Sequence, residues 1–314
     1  MKVYHSFEEY SPVSNPILTV GTFDGVHYGH QKILERLKEL ARQKKGETVI
    51  MTFFPHPRMI LHPQDTSLKL LSTVEEKIRL LDRAGIDHLL LIPFTRDFSN
   101  LTSGEFIEKI LVRTIGVKTL VIGYDHRFGK NREGTFEDLR SSGMRYGFEV
   151  EKIPEQDIDH VAVSSTKIRN ALAEGKVAVA NQYLSYPYSI SGEVVKGDQL
   201  GRKLGYPTAN IFVEETYKLI PKDGIYAVQV VLGSRKPDAK KLQGMLYIGH
   251  RPTINGMARN IEVNMFDFHE EIYYERLTVE LLQFIREDRK FDSLEELTRQ
   301  ISRDEKDCRQ FFAI

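Results

Sequence analysis

The chain has 314 residues, with 44 basic and 44 acidic side chains. This balance argues against a nucleic-acid footprint over the whole chain and against a polybasic membrane anchor. The length predicts two domains, because single cores stop growing at roughly 250–300 residues. Cys308 is the only cysteine, which excludes an intramolecular disulfide and favours a reducing compartment. Residues 1–9 lack a signal-peptide core, and no apolar run is long enough to span a bilayer. We therefore expect a cytoplasmic protein with no membrane or nucleic-acid partner.

The first half of the chain alternates apolar strands with amphipathic helices. Apolar runs predict strands at residues 17–20, 48–54, 88–94, 118–123 and 148–153. Helical spacing predicts helices at residues 31–41 and 103–115, and a third that begins in a capping box near Thr73 and ends at Gly85. This alternation predicts a parallel, Rossmann-like sheet that is covered on both faces. Ligands of such sheets bind beyond the carboxyl ends of the strands.

A glycine loop with two histidines lies between the first strand and the first helix. His27 and His30 are three residues apart, and Gly25 and Gly29 let the backbone approach a ligand without Cβ clashes. The free amides of the first helical turn favour an anion, so both imidazoles can reach a phosphate held there. A tight turn with surface histidines and a zinc pair are the alternatives, although no third Cys or His ligand lies nearby.

Three more segments follow predicted strands in this half. Residues 163–169 open a helix that Ser164 or Ser165 can cap, and its free amides, Lys167 and Arg169 favour an anion. A plain capped helix explains the serines but not the two cations. Residues 123–134 combine cations, glycines and an aromatic, which suits phosphates and a stacked ring, and a charged surface loop is the alternative. Residues 52–57 end the second strand and are a candidate part of the site. The alternative is that they are an ordinary strand terminated by proline.

From about residue 185 the pattern changes to period-2 alternation. Strands are predicted at residues 188–195, 225–232, 244–248, 261–268 and 277–284, and a closing helix at residues 293–312. Short strands separated by turns predict an antiparallel β-barrel. We therefore predict two domains, residues 1–184 and residues 185–314.

The most informative loop of the second half is residues 197–210. Its glycines allow close backbone approach, its two cations suit phosphates, and its hard oxygen donors suit Mg²⁺ bound to a nucleotide. These residues are Gly197, Gly201 and Gly205, then Arg202 and Lys203, then Thr208 and Asn210. A bare glycine-rich turn is the alternative.

Several of these segments resemble known signatures. Residues 23–30, Phe-Asp-Gly-Val-His-x-Gly-His, resemble the HxGH signature of nucleotidyltransferases in its bacterial FAD synthetase form. Residues 164–169 resemble the Ser-Ser-Thr-x-Ile-Arg signature of the same family. Residues 197–210, Gly-x-x-x-Gly-Arg-x-Leu-Gly-x-Pro-Thr-Ala-Asn, resemble riboflavin kinases, as do residues 221–227 and 248–253. Nearly the whole chain is therefore similar to the bacterial bifunctional riboflavin kinase/FMN adenylyltransferases, the prokaryotic FAD synthetase family.

The resemblance implies two activities. The first domain would adenylylate FMN with ATP to give FAD, and the barrel would phosphorylate riboflavin with ATP and Mg²⁺ to give FMN. The implied catalytic residues are His27, His30, Ser164, Arg169 and Glu262. The implied nucleotide-binding residues are Gly21, Phe23, Asp24, Gly25, Gly29, Ser165, Thr166, Lys167, Gly197, Gly201, Arg202, Lys203, Gly205 and Pro207. Phe54, Asp125, Phe128 and Arg132 would bind flavin, and Thr208 and Asn210 would bind the metal.

The chain departs from many kinase relatives at Tyr247, Asn264 and Tyr274, where they carry asparagine, histidine and glycine. Two alternatives therefore stay open. One is an FMN adenylyltransferase with an inactive or weak riboflavin kinase-like module, and the other is a non-catalytic flavin-responsive regulator. Neither the oligomeric state nor a regulatory partner follows from the sequence.

Overall fold

The computed structural model describes residues 1–124, 126–153, 163–197, 199–233, 239–250 and 259–313. The chain forms two compact units, Met1–Ser165 and Thr166–Ile314. The division predicted after residue 184 stays a prediction. Within the described ranges, no helix combines the length and the apolar character needed to cross a membrane.

The first unit contains the predicted parallel sheet. Its strands are β1 (Lys2–Tyr4), β2 (Pro16–Val20), β3 (Glu47–Phe53), β4 (His88–Ile92), β5 (Thr119–Gly123) and β6 (Glu149–Ile153). Their order is β1-β4-β3-β2-β5-β6, and all neighbours pair in parallel. The chain winds from β2 to β3 and β4 on one side and to β5 and β6 on the other. The carboxyl end of β2 is therefore the switch point at which such sheets bind ligands.

Helices cover both faces of this sheet. They are Tyr28–Lys44, Pro57–Leu61, Val74–Arg83, Arg96–Ser99, Ser103–Glu105 and Phe136–Tyr146. Ile17 and Leu18, successive residues of β2, belong to two different apolar clusters, as expected when both faces are buried. The predicted helix at residues 103–115 is α-helical only in its first turn and continues as a π-helix over Phe106–Ile115.

The second unit is the predicted antiparallel barrel with two helices before it. The helices are Ser165–Ala173 and Val177–Leu184, and the strands are β7 (Ser189–Val195), β8 (Ala209–Phe212), β9 (Gly224–Leu232), β10 (Lys240–Gly249), β11 (Asn260–Met265) and β12 (Arg276–Glu287). The barrel closes in the order β10-β11-β8-β7-β12-β9. The closing helix, Leu294–Phe312, buries Cys308 against Ala227 and Met245.

Candidate active sites

The histidine loop follows β2 and has an unusual backbone. Phe23, Gly25 and Val26 have φ angles of 47°, 78° and 36°, which place them in the left-handed region. Only the glycine adopts this region without strain, and the other two are held there by burial at 1% and 2% exposure. Strained backbone of this kind clusters at functional sites. The loop leads directly into helix Tyr28–Lys44.

The two histidines meet at the start of that helix. Their rings stack with centroids 3.8 Å apart, and the ring of Phe23 lies 4.9 Å from that of His30. Nδ1 of His30 is buried, and no hydrogen-bond partner for it lies among the described residues. Burial, together with the nearby His27 and Lys77, holds the pKa of His30 well below its ordinary value of 6.5. His30 is therefore neutral at neutral pH and offers one ring N–H beside the free amides of the helix.

Asp24 connects this loop to residues 71 and 72 by hydrogen bonds. Its buried carboxylate accepts hydrogen bonds from the backbone amides of Leu71 at 2.9 Å and Ser72 at 3.2 Å. In return, the amide of Gly25 donates to Oγ of Ser72 at 3.1 Å. The structure thus places Asp24 as an anchor between the loop and the segment before helix Val74–Arg83. Its expected contact with the nucleotide stays a prediction.

The serine-rich signature also reaches the histidine loop. Oγ of Ser165 donates to the backbone oxygen of Asp24 at 3.2 Å, across 141 positions of sequence. Ser165 of the second nucleotidyltransferase signature therefore contacts the first signature within the first unit. Thr166 and Lys167 are exposed and Arg169 is half-buried. They belong to the second compact unit, and their contacts with a nucleotide stay predictions.

The residues predicted to bind flavin do not all reach a surface. Phe54 follows β3 and is partly exposed, with its amide donating to the backbone oxygen of Ile92 at 3.1 Å. Arg132 is exposed in a short 3₁₀ turn. Phe128, by contrast, lies in the apolar core, where its ring is 5.6 Å from that of Phe106. A Cβ added to Gly134 would lie 2.6 Å from the same ring, so glycine is needed there. Asp125 lies outside the described residues.

The second unit contains a cavity of about 580 Å³ between the barrel and the closing helix. Its lining includes predicted kinase residues together with two of the departures. These are Thr208, Tyr247, Glu262 and Asn264. Apolar side chains such as Leu204, Met245 and Leu297 line the cavity together with polar and charged ones. A concave site that combines apolar walls with polar groups is suited to a small molecule.

The short strand β8 aligns the predicted metal ligands with the predicted base. Oγ1 of Thr208 donates to Oε2 of Glu262 at 3.2 Å, and Asn210 pairs with Glu262 across β8 and β11. Thr208 therefore contacts the Glu262 carboxylate, and Asn210 lies opposite Glu262 in the strand ladder. Oxygen-bearing side chains of this kind suit a hard cation such as Mg²⁺. No cluster of three or more His, Cys, Asp or Glu side chains that could hold a metal occurs in the described part of the chain. A metal here would depend on these oxygens and on the nucleotide phosphates.

The glycines of the kinase-like loop let it fold tightly on itself. A Cβ on Gly197 would lie 2.3 Å from Nδ2 of Asn210, and a Cβ on Gly201 would lie 2.3 Å from the backbone oxygen of Tyr206. Gly205 has a φ of 86°, which favours glycine. Pro207 is exposed, as are Arg202 and Lys203, which lie in the short helix Leu200–Lys203. The contacts expected between these residues and a nucleotide stay predictions.

The three departures lie in different places. Nδ2 of Asn264 donates to the backbone oxygen of Pro207 at 2.7 Å. The hydroxyl of Tyr247, the cross-strand partner of Glu262, donates to Oδ2 of Asp288 at 3.2 Å. Tyr274 is 67% exposed and is not one of the residues that line the cavity. Two of the three therefore bear on the cavity.

Several residues near the sites were not predicted from the sequence. Lys77 is buried, and its Nζ donates to the backbone oxygen of Thr22 at 2.7 Å. The position of Lys77 on the apolar side of an amphipathic helix is the sequence signal that could have predicted its burial. In the barrel, Arg286 makes a bidentate pair with the buried Asp304 at 2.7 and 2.6 Å beside the cavity. Nδ1 of His250 lies 2.6 Å from Oδ2 of Asp223, which joins two kinase-like segments, while residues 251–253 lie outside the described ranges.

Comparisons with known proteins match both halves of the chain. The model of the FAD synthetase family matches residues 11–167, and that of riboflavin kinase matches residues 184–312. A bifunctional riboflavin kinase/FMN adenylyltransferase of Escherichia coli (strain K12) is 40% identical over 304 residues, which cover 97% of this chain and 95% of the relative. The relative of the same name from Listeria monocytogenes is 39% identical, covering 95% of this chain and 93% of its own.

A solved structure is also similar over nearly its whole length. It is titled a macrolide-efflux protein from Streptococcus pneumoniae, has a TM-score of 0.87 and is 33% identical, and the match covers 98% of each chain. The activity in that title is not one that the two curated relatives carry in their names.

Proposed function

The chain belongs to the family of bifunctional riboflavin kinase/FMN adenylyltransferases, and from this premise we propose how it divides the two reactions between its units. It is an enzyme that makes FAD in two steps. The barrel phosphorylates riboflavin with ATP to give FMN and ADP. The parallel-sheet unit then transfers the adenylyl group of a second ATP to FMN, giving FAD and pyrophosphate.

The adenylyl site is assigned to the histidine loop. The observation that carries this assignment is the buried Nδ1 of His30 at the switch point of the sheet. The ring that bears this atom stacks on the ring of His27. A buried polar atom without a protein partner calls for a ligand or a water. In the reaction a phosphate oxygen of FMN attacks the α-phosphorus of ATP directly, so no side-chain nucleophile is needed. His27, His30 and the helix amides would stabilise the charge on the phosphorus and on the leaving pyrophosphate.

The kinase site is assigned to the barrel cavity, where Thr208 and Glu262 line its wall. Glu262 would accept the proton of the ribityl hydroxyl as that oxygen attacks the γ-phosphorus of ATP. Thr208, hydrogen-bonded to Oε2, orients the carboxylate. Mg²⁺ would be held by the oxygens of Thr208 and Asn210, where it would neutralise phosphate charge. Phosphoryl transfer depends mainly on such positioning and electrostatics.

The proposed compartment is the cytoplasm. Support comes from Cys308, whose thiol is unpaired and buried, and burial raises its pKa to about 12. Such a thiol is inert and gives the protein no stabilising disulfide. Fractionation of cells that express the protein would test this location, and recovery outside the cytoplasm would contradict it.

A product assay tests the two activities. Purified protein is incubated with ATP and Mg²⁺ and either riboflavin or FMN, and the products are separated by chromatography. Riboflavin should give FMN and then FAD, and FMN should give FAD and pyrophosphate. If FMN gave FAD but riboflavin gave no product, the barrel would be inactive as a kinase. If neither substrate gave FAD, the result would support the alternative of a non-catalytic flavin-responsive regulator.

A further inference from the structure

A lysine is buried beneath the histidine loop. Lys77 lies on helix Val74–Arg83, and only 4% of it is exposed. Its Nζ donates to the backbone oxygen of Thr22 at 2.7 Å, and Oγ1 of Thr52 donates to the same oxygen at 3.1 Å. Burying an ammonium group is costly, and lysine is almost never this buried without a specific partner. Here the partner is the backbone where β2 gives way to the loop.

Lys77 is one of several contacts that join its helix to the loop. Asp24 accepts the amides of Leu71 and Ser72, and Gly25 donates to Ser72. Lys77 adds a charged donor to these contacts, and its acceptor is a neutral carbonyl. The charged or titratable groups around it are Asp24 from the loop, His30 from helix Tyr28–Lys44 and the adjacent Glu76, which accepts from the amide of Thr73 at 2.9 Å. Its positive charge therefore acts on the loop, offset in part by Asp24.

We propose that Lys77 is a positioning residue for adenylyl transfer: it fixes the Thr22 carbonyl, and with it the path of the loop to His27 and His30, and places a buried positive charge beneath the phosphates. The inference rests on the proposed adenylyl site. The histidines follow Thr22 in one short loop, so a shift of the Thr22 carbonyl moves both imidazoles. A displacement of about 1 Å can cost about 100-fold in rate. The positive charge also favours an anion above it.

The experiment compares two variants with a matched control. Lys77→Met removes the charge and the donor, and Lys77→Arg keeps both with a different shape. Lys38→Met is the control, because Nζ of Lys38 also donates to a backbone oxygen, that of Ala84 at 2.7 Å, away from the loop. In FAD formation from FMN and ATP, kcat of Lys77→Met should fall about 100-fold, with smaller changes in KM. Lys77→Arg should recover part of the loss, Lys38→Met should match the wild type, and all should phosphorylate riboflavin normally.

A pH profile separates this role from simple packing. Burial lowers the pKa of Lys77 to about 8, so its charge is lost as the pH rises through about 8. His30, with a pKa well below 6.5, does not titrate in this range. The wild type should therefore lose FAD formation on an alkaline limb near pH 8, and Lys77→Arg, which keeps its charge, should move that limb to higher pH.

The outcomes are distinguishable. Unchanged kcat and an unchanged alkaline limb in Lys77→Met would overturn the inference while leaving the adenylyl site intact. If His30→Ala also formed FAD at the wild-type rate, the proposed adenylyl site itself would fail. If Lys77→Met fails to fold, which would show as the loss of a thermal unfolding transition that Lys38→Met retains, the pH profile of Lys77→Arg provides the test. An alkaline limb of FAD formation that stays near pH 8 in Lys77→Arg would overturn the proposal.

Discussion

The imidazole rings of His27 and His30 lie 3.8 Å apart and within 19° of parallel. They stack because their spacing of three residues spans the loop end and the first turn of helix Tyr28–Lys44. The stacked pair stands beside backbone amides that no earlier carbonyl of the helix can satisfy. The imidazoles and the first amides of the helix therefore lie together at the switch point of the sheet, a position suited to electrostatic stabilisation of a phosphoryl centre.

Replacing one ring of this pair should separate the two activities. His30→Ala should lower FAD formation from FMN by about 10²–10³-fold, the usual cost of losing a preorganised donor. Formation of FMN from riboflavin should be unchanged, because Glu262 and Thr208 belong to the other unit. Initial rates of both reactions provide the measurement, with His62→Ala, which removes an exposed histidine, as the control. Adenylyl transfer at the wild-type rate in His30→Ala would refute the site.

The depressed pKa of His30 predicts a stability effect in acid. In the unfolded chain the ring takes up a proton near its ordinary value of 6.5, whereas in the folded protein it does so only at lower pH. The unfolded state therefore binds more protons just below pH 6.5, and the free energy of unfolding should fall as the pH falls through this range. Histidine NMR titration should show the C2 proton of His30 unshifted as the pH falls through 6.5. A titration of that proton near pH 6.5 would contradict the burial of His30.

Much of the fold could be predicted because its signals are local. Apolar runs between amphipathic helices predicted β2 to β6 to within two residues at either end, and alternation predicted the barrel. The strands and helices without a prediction have weak local signals. β1 has three residues, β8 has four inside a loop interpreted as a ligand site, and helix Phe136–Tyr146 contains Gly143 on its buried side.

The side-chain roles that the sequence did not predict depend on distant contacts. Asp24 is joined to Leu71 across 47 positions and Lys77 to Thr22 across 55, and no periodicity encodes such pairs. Phe128, in a loop rich in glycine and charge, suggested an exposed stacking ring. Its burial depends on the π-helix residue Phe106 and on Gly134, which closes against it. A loop residue with a close glycine neighbour can therefore be a core residue.

Removing the proposed base should largely abolish riboflavin phosphorylation and leave FAD formation from FMN unchanged. Glu262→Gln keeps the shape and an acceptor for Thr208 but cannot accept the ribityl proton. Formation of FMN from riboflavin should fall by about 10²–10⁴-fold, and conversion of FMN to FAD should be unchanged. Glu280→Gln, on β12, is the matched control, since this strand glutamate does not line the cavity. Normal riboflavin phosphorylation by Glu262→Gln would remove Glu262 from the mechanism.

Asn264 connects one of the kinase departures to the proposed base. Its Nδ2 donates to the backbone oxygen of Pro207 at 2.7 Å. Pro207 precedes Thr208, which in turn donates to Glu262 at 3.2 Å. Asn264 thus fixes the backbone that presents Thr208 to the carboxylate, a role that needs an N–H donor and no proton transfer. A neutral amide at this position is therefore compatible with catalysis.

This interpretation predicts different results for two replacements of Asn264. Asn264→Ala removes the donor and should slow riboflavin phosphorylation by about tenfold or more, because Thr208 and Glu262 lose their alignment. Asn264→His keeps a ring N–H within reach of the Pro207 oxygen and should retain most of the rate. Asn181→Ala is the control: it removes a similar amide bond, to the Leu281 oxygen at 2.9 Å, and the bond that Oδ1 of Asn181 accepts from the Tyr188 amide at 2.7 Å. It should cost about 1 kcal/mol of stability for each bond lost, without slowing phosphorylation. Initial rates with riboflavin, alongside thermal unfolding, decide the matter: if Asn264→Ala phosphorylates as fast as the wild type, Asn264 does not position Thr208.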